Sequence, residues 1–214
     1  MNYESKVKRL DMNLPKVTII IPFHHDRGWL DEAIQSVHNQ NYKGQIELLI
    51  SESHNSVGYN INRGIEMATG EFIKYLCDDD KLTPNCITDS VKALQGFDFI
   101  HGNAINKFPT VEVFQRPRKA KPTLNDMLEN NVIHGGTLMY RKSLFDTVGL
   151  FDESLDCAEE YEFNMRCLSK GMKIGYCNST LYIYRRHETQ KSLGVQANQT
   201  LRIEKINAIK NRFR

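Results

Sequence analysis

Apolar positions along the first half of the chain fall in short alternating blocks, a pattern that predicts strands and amphipathic helices in turn. Val17 to Phe23 is rich in β-branched residues and reaches its end at Pro22, as a buried strand does, because proline cannot donate a sheet hydrogen bond. Leu30, Ala33, Ile34 and Val37 follow at helical spacing behind Gly28. Ile46 to Ile50 reads as a second strand. Ile61, Ile65 and Ala68 predict a second helix closed by Gly70, and Phe72 to Leu76 a third strand. Three such steps build a parallel sheet with helices on its faces, so the expected fold class is α/β.

Further along, the spacing predicts a helix from Pro84, with Ile87, Val91 and Leu94 on one face, and a strand over Phe97 to His101. Phe108 to Pro122 carries three prolines with Arg116, Arg118, Lys119 and Lys121, which suits an exposed hairpin or loop. Thr137 to Tyr140 and Lys173 to Tyr184 read as later strands around a helix over Glu159 to Ser169. Gln196 to Arg214 is a basic helical pattern with no stop signal, so a longer parent protein is expected.

Composition narrows the class. The 214 residues are 40% hydrophobic and 25% charged, which excludes disorder and a membrane-embedded protein. With 28 basic against 26 acidic residues there is no global pull toward nucleic acid. The N-terminus lacks the apolar core of a secretory signal and no apolar run is long enough to span a bilayer, so no transmembrane segment and a cytoplasmic location are expected. Five cysteines without a C-x-x-C pair read as reduced and mostly buried.

The chemistry concentrates in three clusters. Asp78, Asp79 and Asp80 follow an apolar strand directly, and a strand end delivers them to the rim where α/β sheets bind ligands. Their mutual repulsion is offset most easily by Mg²⁺ or Mn²⁺, which takes carboxylate oxygens and leaves positions open for diphosphate oxygens; a solvated acidic turn before the next helix is the alternative. Glu159 and Glu160 open a predicted helix, where one carboxylate can act as general base if neighbours raise its pKa, or where both simply match the helix dipole. Arg185, His187 and Lys191 lie in a polar, basic stretch after a strand, suited to a metal and a diphosphate or to an ordinary basic loop. The P-loop, dinucleotide-fold and nucleophile-elbow glycine patterns are all absent.

In order, these segments resemble a GT-A glycosyltransferase of the family 2 type over residues 16 to 192. Val17 to His24 resembles the family's opening strand, whose end, here Pro22, Phe23 and His24, lies against the nucleotide base. The helix Leu30 to Gln40, the stretch around Asn62 and the run into Asp78-Asp79-Asp80 resemble what leads to the family's D-x-D element, and Arg185 to His187 its late phosphate- or metal-touching loop. The resemblance implies a single Rossmann-like GT-A domain over 1–214, with a mostly parallel central sheet, a nucleotide-binding half at about 16–103, an acceptor-side half at about 104–192 and a basic helical tail at 196–214. It implies transfer of a sugar from a UDP-sugar to an acceptor hydroxyl on a glycan or glycoprotein. Asp80 with Asp78 or Asp79, together with His187, would hold Mn²⁺ or Mg²⁺, and Glu160 beside Glu159 would be the base. Three departures stand out: Ser51-Glu52 where two aspartates are usual, which hands Glu52 a contact to uracil or ribose; Cys77 at the first D-x-D position; and Glu160 in place of aspartate, which leaves inversion or retention open. The compact size also resembles glycosyltransferase domains of large DNA viruses that glycosylate their capsid. A sugar nucleotidyltransferase needs a glycine-rich basic first loop, for which residues 22–28 are a poor substitute, and a noncatalytic sugar-nucleotide-binding module requires the acidic clusters to lie apart.

Overall fold

The computed structural model describes residues 14–25, 27–190 and 199–214. Its first half follows the β/α alternation: β1 (Val17–Phe23), α1 (Leu30–His38), β2 (Ile46–Glu52), α2 (Val57–Met67), β3 (Phe72–Tyr75), β4 (Lys81–Leu82) and α3 (Cys86–Ala93). The second half adds β5 (Phe99–Lys107), β6 (Glu112–Gln115), α4 (Leu124–Glu129), a 3-10 turn over Gly135–Thr137, β7 (Met139–Arg141), α5 (Leu144–Val148), α6 (Glu159–Ser169), β8 (Ile174–Arg185) and α7 (Gln199–Asn211).

One sheet runs through the molecule in the order β2-β1-β3-β7-β5-β8-β4, with β6 paired to β5. Its long pairings, β1 with β2 and β5 with β8, are parallel. The antiparallel pairings are short: β7 meets β3 and β5 through two residue pairs each, and β4 meets β8 likewise. The α/β class expected from the sequence is the observed one, and β7 runs opposite to β3 and β5 on either side of it.

Both faces of β1 are buried, which is why the run is apolar without a break. Val17, Ile19 and Ile21 face the layer of α1 and α3, while Ile20 faces α2 and the aromatic stack Tyr140, Phe145, Phe151 and Phe163. Phe151 and Phe163 lie 4.3 Å apart and nearly parallel. α2 starts at Ser56, whose hydroxyl accepts the Tyr59 N–H, and α4 starts with a capping box between Thr123 and Asp126. Gly70 does not close α2. Ala68 does, and Gly70 is needed because a Cβ there would stand 2.6 Å from the Thr18 nitrogen. The predicted exposed arm is a hairpin of β5 and β6 with every β6 residue exposed. All five cysteines are free thiols. Among the described residues no helix is long and apolar enough to cross a membrane.

Candidate active site

The strand ends of β1 and β3, the turn 77–80 and the end of β8 meet at one rim. Asp80 is buried at 2% exposure, and both its oxygens are engaged: Oδ2 accepts the Tyr182 hydroxyl at 2.8 Å and Oδ1 the Arg185 N–H at 2.7 Å. Burial, then the Asp79 charge, pushes its pKa well above the usual carboxylate range. Asp79 accepts Arg27 at 3.0 Å and lies 3.1 Å from His187 Nε2, while Asp78 accepts the same arginine nitrogen at 2.8 Å. One guanidinium therefore spans two of the three aspartates. Burial raises Asp78 and Arg27 partly offsets it.

The possible cation ligands are narrower than the sequence left them. Cys77, Asp79 and Asp80 offer ligand atoms all within 4.8 Å of one another, and Asp78, turned to Arg27, is outside that group. The two carboxylates suit a hard divalent cation; the Cys77 thiol, pushed up by burial and the three aspartates, is a weak partner.

Arg185 and His187 are positioned by the single tryptophan, Trp29, just before α1. Its ring lies 4.5 Å from His187 and 5.2 Å below the Arg185 guanidinium. Arg185 also donates to the Asp79 carbonyl at 2.9 Å and to Glu32 of α1 at 2.9 Å. Neither Arg27 nor Trp29 stands out in the sequence, where the signal is a lone tryptophan and an arginine flanking Gly28.

The second acidic cluster reaches the same rim through two glycines. Tyr182, which holds Asp80, packs its ring on Gly136, where a Cβ would fall 2.3 Å away. A Cβ on Gly135 would meet Glu160 Cγ at 2.8 Å, and the Gly135 carbonyl accepts the Tyr75 hydroxyl at 3.0 Å. Glu160 and the Tyr182 ring that holds Asp80 thus contact adjacent glycines. Beneath it, the fully buried Lys74 of β3 donates to the carbonyls of Gly136 at 2.9 Å and Leu138 at 3.1 Å, fixing the turn. Lys74 stands out within its apolar run, yet sequence alone gives it no partner.

Glu160 is half-buried in the first turn of α6, after Ala158 at φ 62, the only non-glycine left-handed residue among those described. Burial, then the Glu159 charge, pushes Glu160 up to about 7, with backbone N–H groups of Glu160 and Tyr161 opposing. Glu159 is half-buried beside it. Glu162, next along, is tied to Arg166 at 2.8 Å.

Other predicted positions divide. Phe23 is half-buried and His24 exposed at the end of β1, with His24 Nδ1 3.2 Å from the Ser53 carbonyl, and Glu52 is exposed at the parallel end of β2. Pro22 is buried within β1. Asn62 does not face the rim: it is 2% exposed, donates to the Phe151 carbonyl and Glu153, and accepts the Phe151 N–H. Its side chain pins the loop before α6 to α2, so a substrate contact through it is not available in this arrangement. Lys191 lies outside the described residues.

The sequence profile described as "Glycosyl transferase family 2" matches residues 44–149. Over these residues the chain carries a glycosyl transferase family 2 region. An uncharacterized glycosyltransferase of Rickettsia typhi is 26% identical, covering 82% of this chain and 65% of its own length. The GalNAc(5)-diNAcBac-PP-undecaprenol beta-1,3-glucosyltransferase of Campylobacter jejuni is 26% identical over 43% of this chain and 39% of its own length. Among solved structures, S. aureus TarS 1-349 in complex with UDP-GlcNAc superposes with a TM-score of 0.69 at 16% identity, over 91% of this chain and 66% of that one. The chain therefore shares the GT-A fold and spans less than two thirds of each of these relatives. They are bacterial, and the likeness to viral capsid-glycosylating domains gains no support from them.

Proposed function

We propose that this chain transfers a sugar from a UDP-sugar to an acceptor hydroxyl, on a glycan or glycoprotein, with Glu160 as general base. The observation that supports this reading is the Gly135–Gly136 step, which Glu160 approaches at one residue and the ring of Tyr182, the hydroxyl donor to Asp80, at the next. The UDP-GlcNAc held by the structurally similar TarS supports the choice of donor. Phe23, His24 and Glu52, at neighbouring strand ends, would receive the nucleotide, and Arg185 with Arg27 would face its diphosphate.

Asp79 and Asp80, with Cys77 near them, would hold Mn²⁺ or Mg²⁺, and such a cation supplies positive charge to the diphosphate as it leaves. His187, tied to Asp79, orients that carboxylate and is better placed as its partner than as a separate ligand. Glu160, in the deprotonated form that gains population as pH rises through about 7, takes the acceptor proton as the hydroxyl oxygen attacks C1. The C1–diphosphate bond breaks on the opposite face, so the product is expected with inverted configuration.

The test is UDP release from a panel of UDP-sugars, with Mn²⁺, Mg²⁺ or EDTA, alongside product analysis. Asp79→Ala is expected to abolish metal-dependent turnover, and full activity in that variant would end the metal assignment. Retained anomeric configuration would remove the base role from Glu160.

A further inference from the structure

A second cleft, about 400 Å³, opens between the segment that follows β6 and the loop from α4 to the 3-10 turn. Gln115, Arg116, Arg118, Asn130, Asn131 and His134 supply its polar lining, and no acidic residue lines it. The two arginines have no carboxylate partner among the described residues. Their basic neighbours do have contacts: Lys119 pairs with Asp126 at 3.0 Å, and Lys121 lies 5.1 Å over the Phe97 ring. Positive charge is thus left unneutralised on the cleft wall.

His134 closes the inner end. Its ring sits 5.8 Å from Tyr182 and 5.3 Å from Tyr184, and its buried Nδ1 has no hydrogen-bond partner. Burial, then nearby Lys74, lowers its pKa to about 4, so near neutral pH it offers a neutral ring nitrogen. A buried polar atom without a partner is costly unless a ligand or water meets it. The residue after His134 is Gly135, which abuts Glu160, so the cleft lining ends one residue from the glycine that contacts the candidate base. The donor diphosphate has its own cations, Arg27 and Arg185, at the aspartate cluster.

We propose that this cleft is the acceptor subsite for an anionic group, a phosphate ester or carboxylate carried by the acceptor, bound by Arg116 and Arg118 with the Asn130 and Asn131 amides and His134. Guanidinium groups suit both anions because their paired N–H donors match two oxygens. The assignment rests on the transferase reading and narrows its acceptor to one that carries a phosphate or carboxylate group.

Titration calorimetry on the full chain tests it, with the donor site first saturated by UDP and Mn²⁺ so that sugar phosphates cannot occupy it. The probes are glucose 6-phosphate, glucuronate, glucose and inorganic phosphate. At least one charged sugar is expected to bind ten or more times tighter than glucose. The double variant Arg116→Gln/Arg118→Gln, at exposed positions, is expected to lose at least tenfold of that affinity while its Kd for UDP stays within twofold of wild type. Glucose binding as tightly as the charged sugars, or charged-sugar affinity untouched in the double variant, would overturn the assignment. So would inorganic phosphate binding as tightly as glucose 6-phosphate while glucuronate stays silent, which marks an adventitious ion only. UDP failing to bind the wild type defeats the transferase reading instead, and the sugar titrations still decide the cleft.

Discussion

Glu160 and Glu47 are both glutamates, and their surroundings send them in opposite directions. Glu160 gains burial and a neighbouring negative charge, so its pKa climbs to about 7. A base of that kind works when deprotonated, so transfer is expected to rise with pH through about 7, and Glu160→Gln should lose that limb with a 10²- to 10⁴-fold drop in kcat, read from a pH–rate profile. At Glu47, desolvation by burial is outweighed by hydrogen bonds from Lys16, Thr18 and Thr69, and its pKa falls to about 2. A carboxylate lowered on folding stabilises fully above its unfolded value near 4.5 and loses that contribution as pH falls through about 2. Glu47→Gln should therefore cost about 1 kcal/mol at neutral pH, after discounting for solvent screening, and flatten the acid limb of stability in denaturant melts at several pH values. The sequence displays the residue type at both positions. At Glu47 the deciding neighbours lie 22 to 31 residues away and at Glu160 burial leads, and no local pattern encodes either for a single side chain.

Among the elements, the 3-10 turn at Gly135–Thr137 has the least sequence signal and the largest effect on the site. Strands and helices announce themselves by period: β1 and α6 occupy the stretches that their apolar spacing predicts, Val17–Phe23 and Glu159–Ser169. A Gly-Gly pair announces only that backbone is free or closely approached. Here it is closely approached, by Glu160 on one residue and by Tyr182 on the next. Gly136→Ala is expected to destabilise the fold by about 1–3 kcal/mol, because the new methyl meets a fully buried aromatic ring that also holds Asp80. Thermal melts measure the loss, and turnover in the same variant should fall further than the melting change explains, since Asp80 and Glu160 both lean on that turn. Asn62 illustrates the reverse case. Its place in a motif-like stretch suggests a ligand contact, but α2 turns it toward the 151–153 loop, where its amide is fully engaged.

At the scale of the whole molecule, β7 is a single opposed strand that joins a parallel β2-β1-β3 half to a second half built on β5 and β8, which run in the same direction as the first. The proposed donor contacts cross that join: Arg27 and Asp79 come from the first half, Arg185 and His187 from the end of β8. A ligand that bridges them should stabilise the fold as a unit. UDP with Mn²⁺ at about 100 times its Kd is expected to add about 2.7 kcal/mol, or roughly 5–10 °C in Tm for a chain of this size. UDP with EDTA should give clearly less, and equal shifts would separate nucleotide binding from the cation. Differential scanning calorimetry reads both.

The sequence by itself determined the α/β alternation, the buried strands and the helix over 159–169, because hydrophobic period depends only on residues within a few turns of one another. It also marked the aspartate triplet and the acidic pair, since both are contiguous. Only the tertiary structure decided that Asp78 faces Arg27, that Asp80 is anchored by Tyr182, and that Tyr182 and Glu160 approach adjacent glycines. Those relations join residues up to about a hundred positions apart, and they arise where strands meet in the sheet order β3-β7-β5-β8, a pairing that local spacing does not encode.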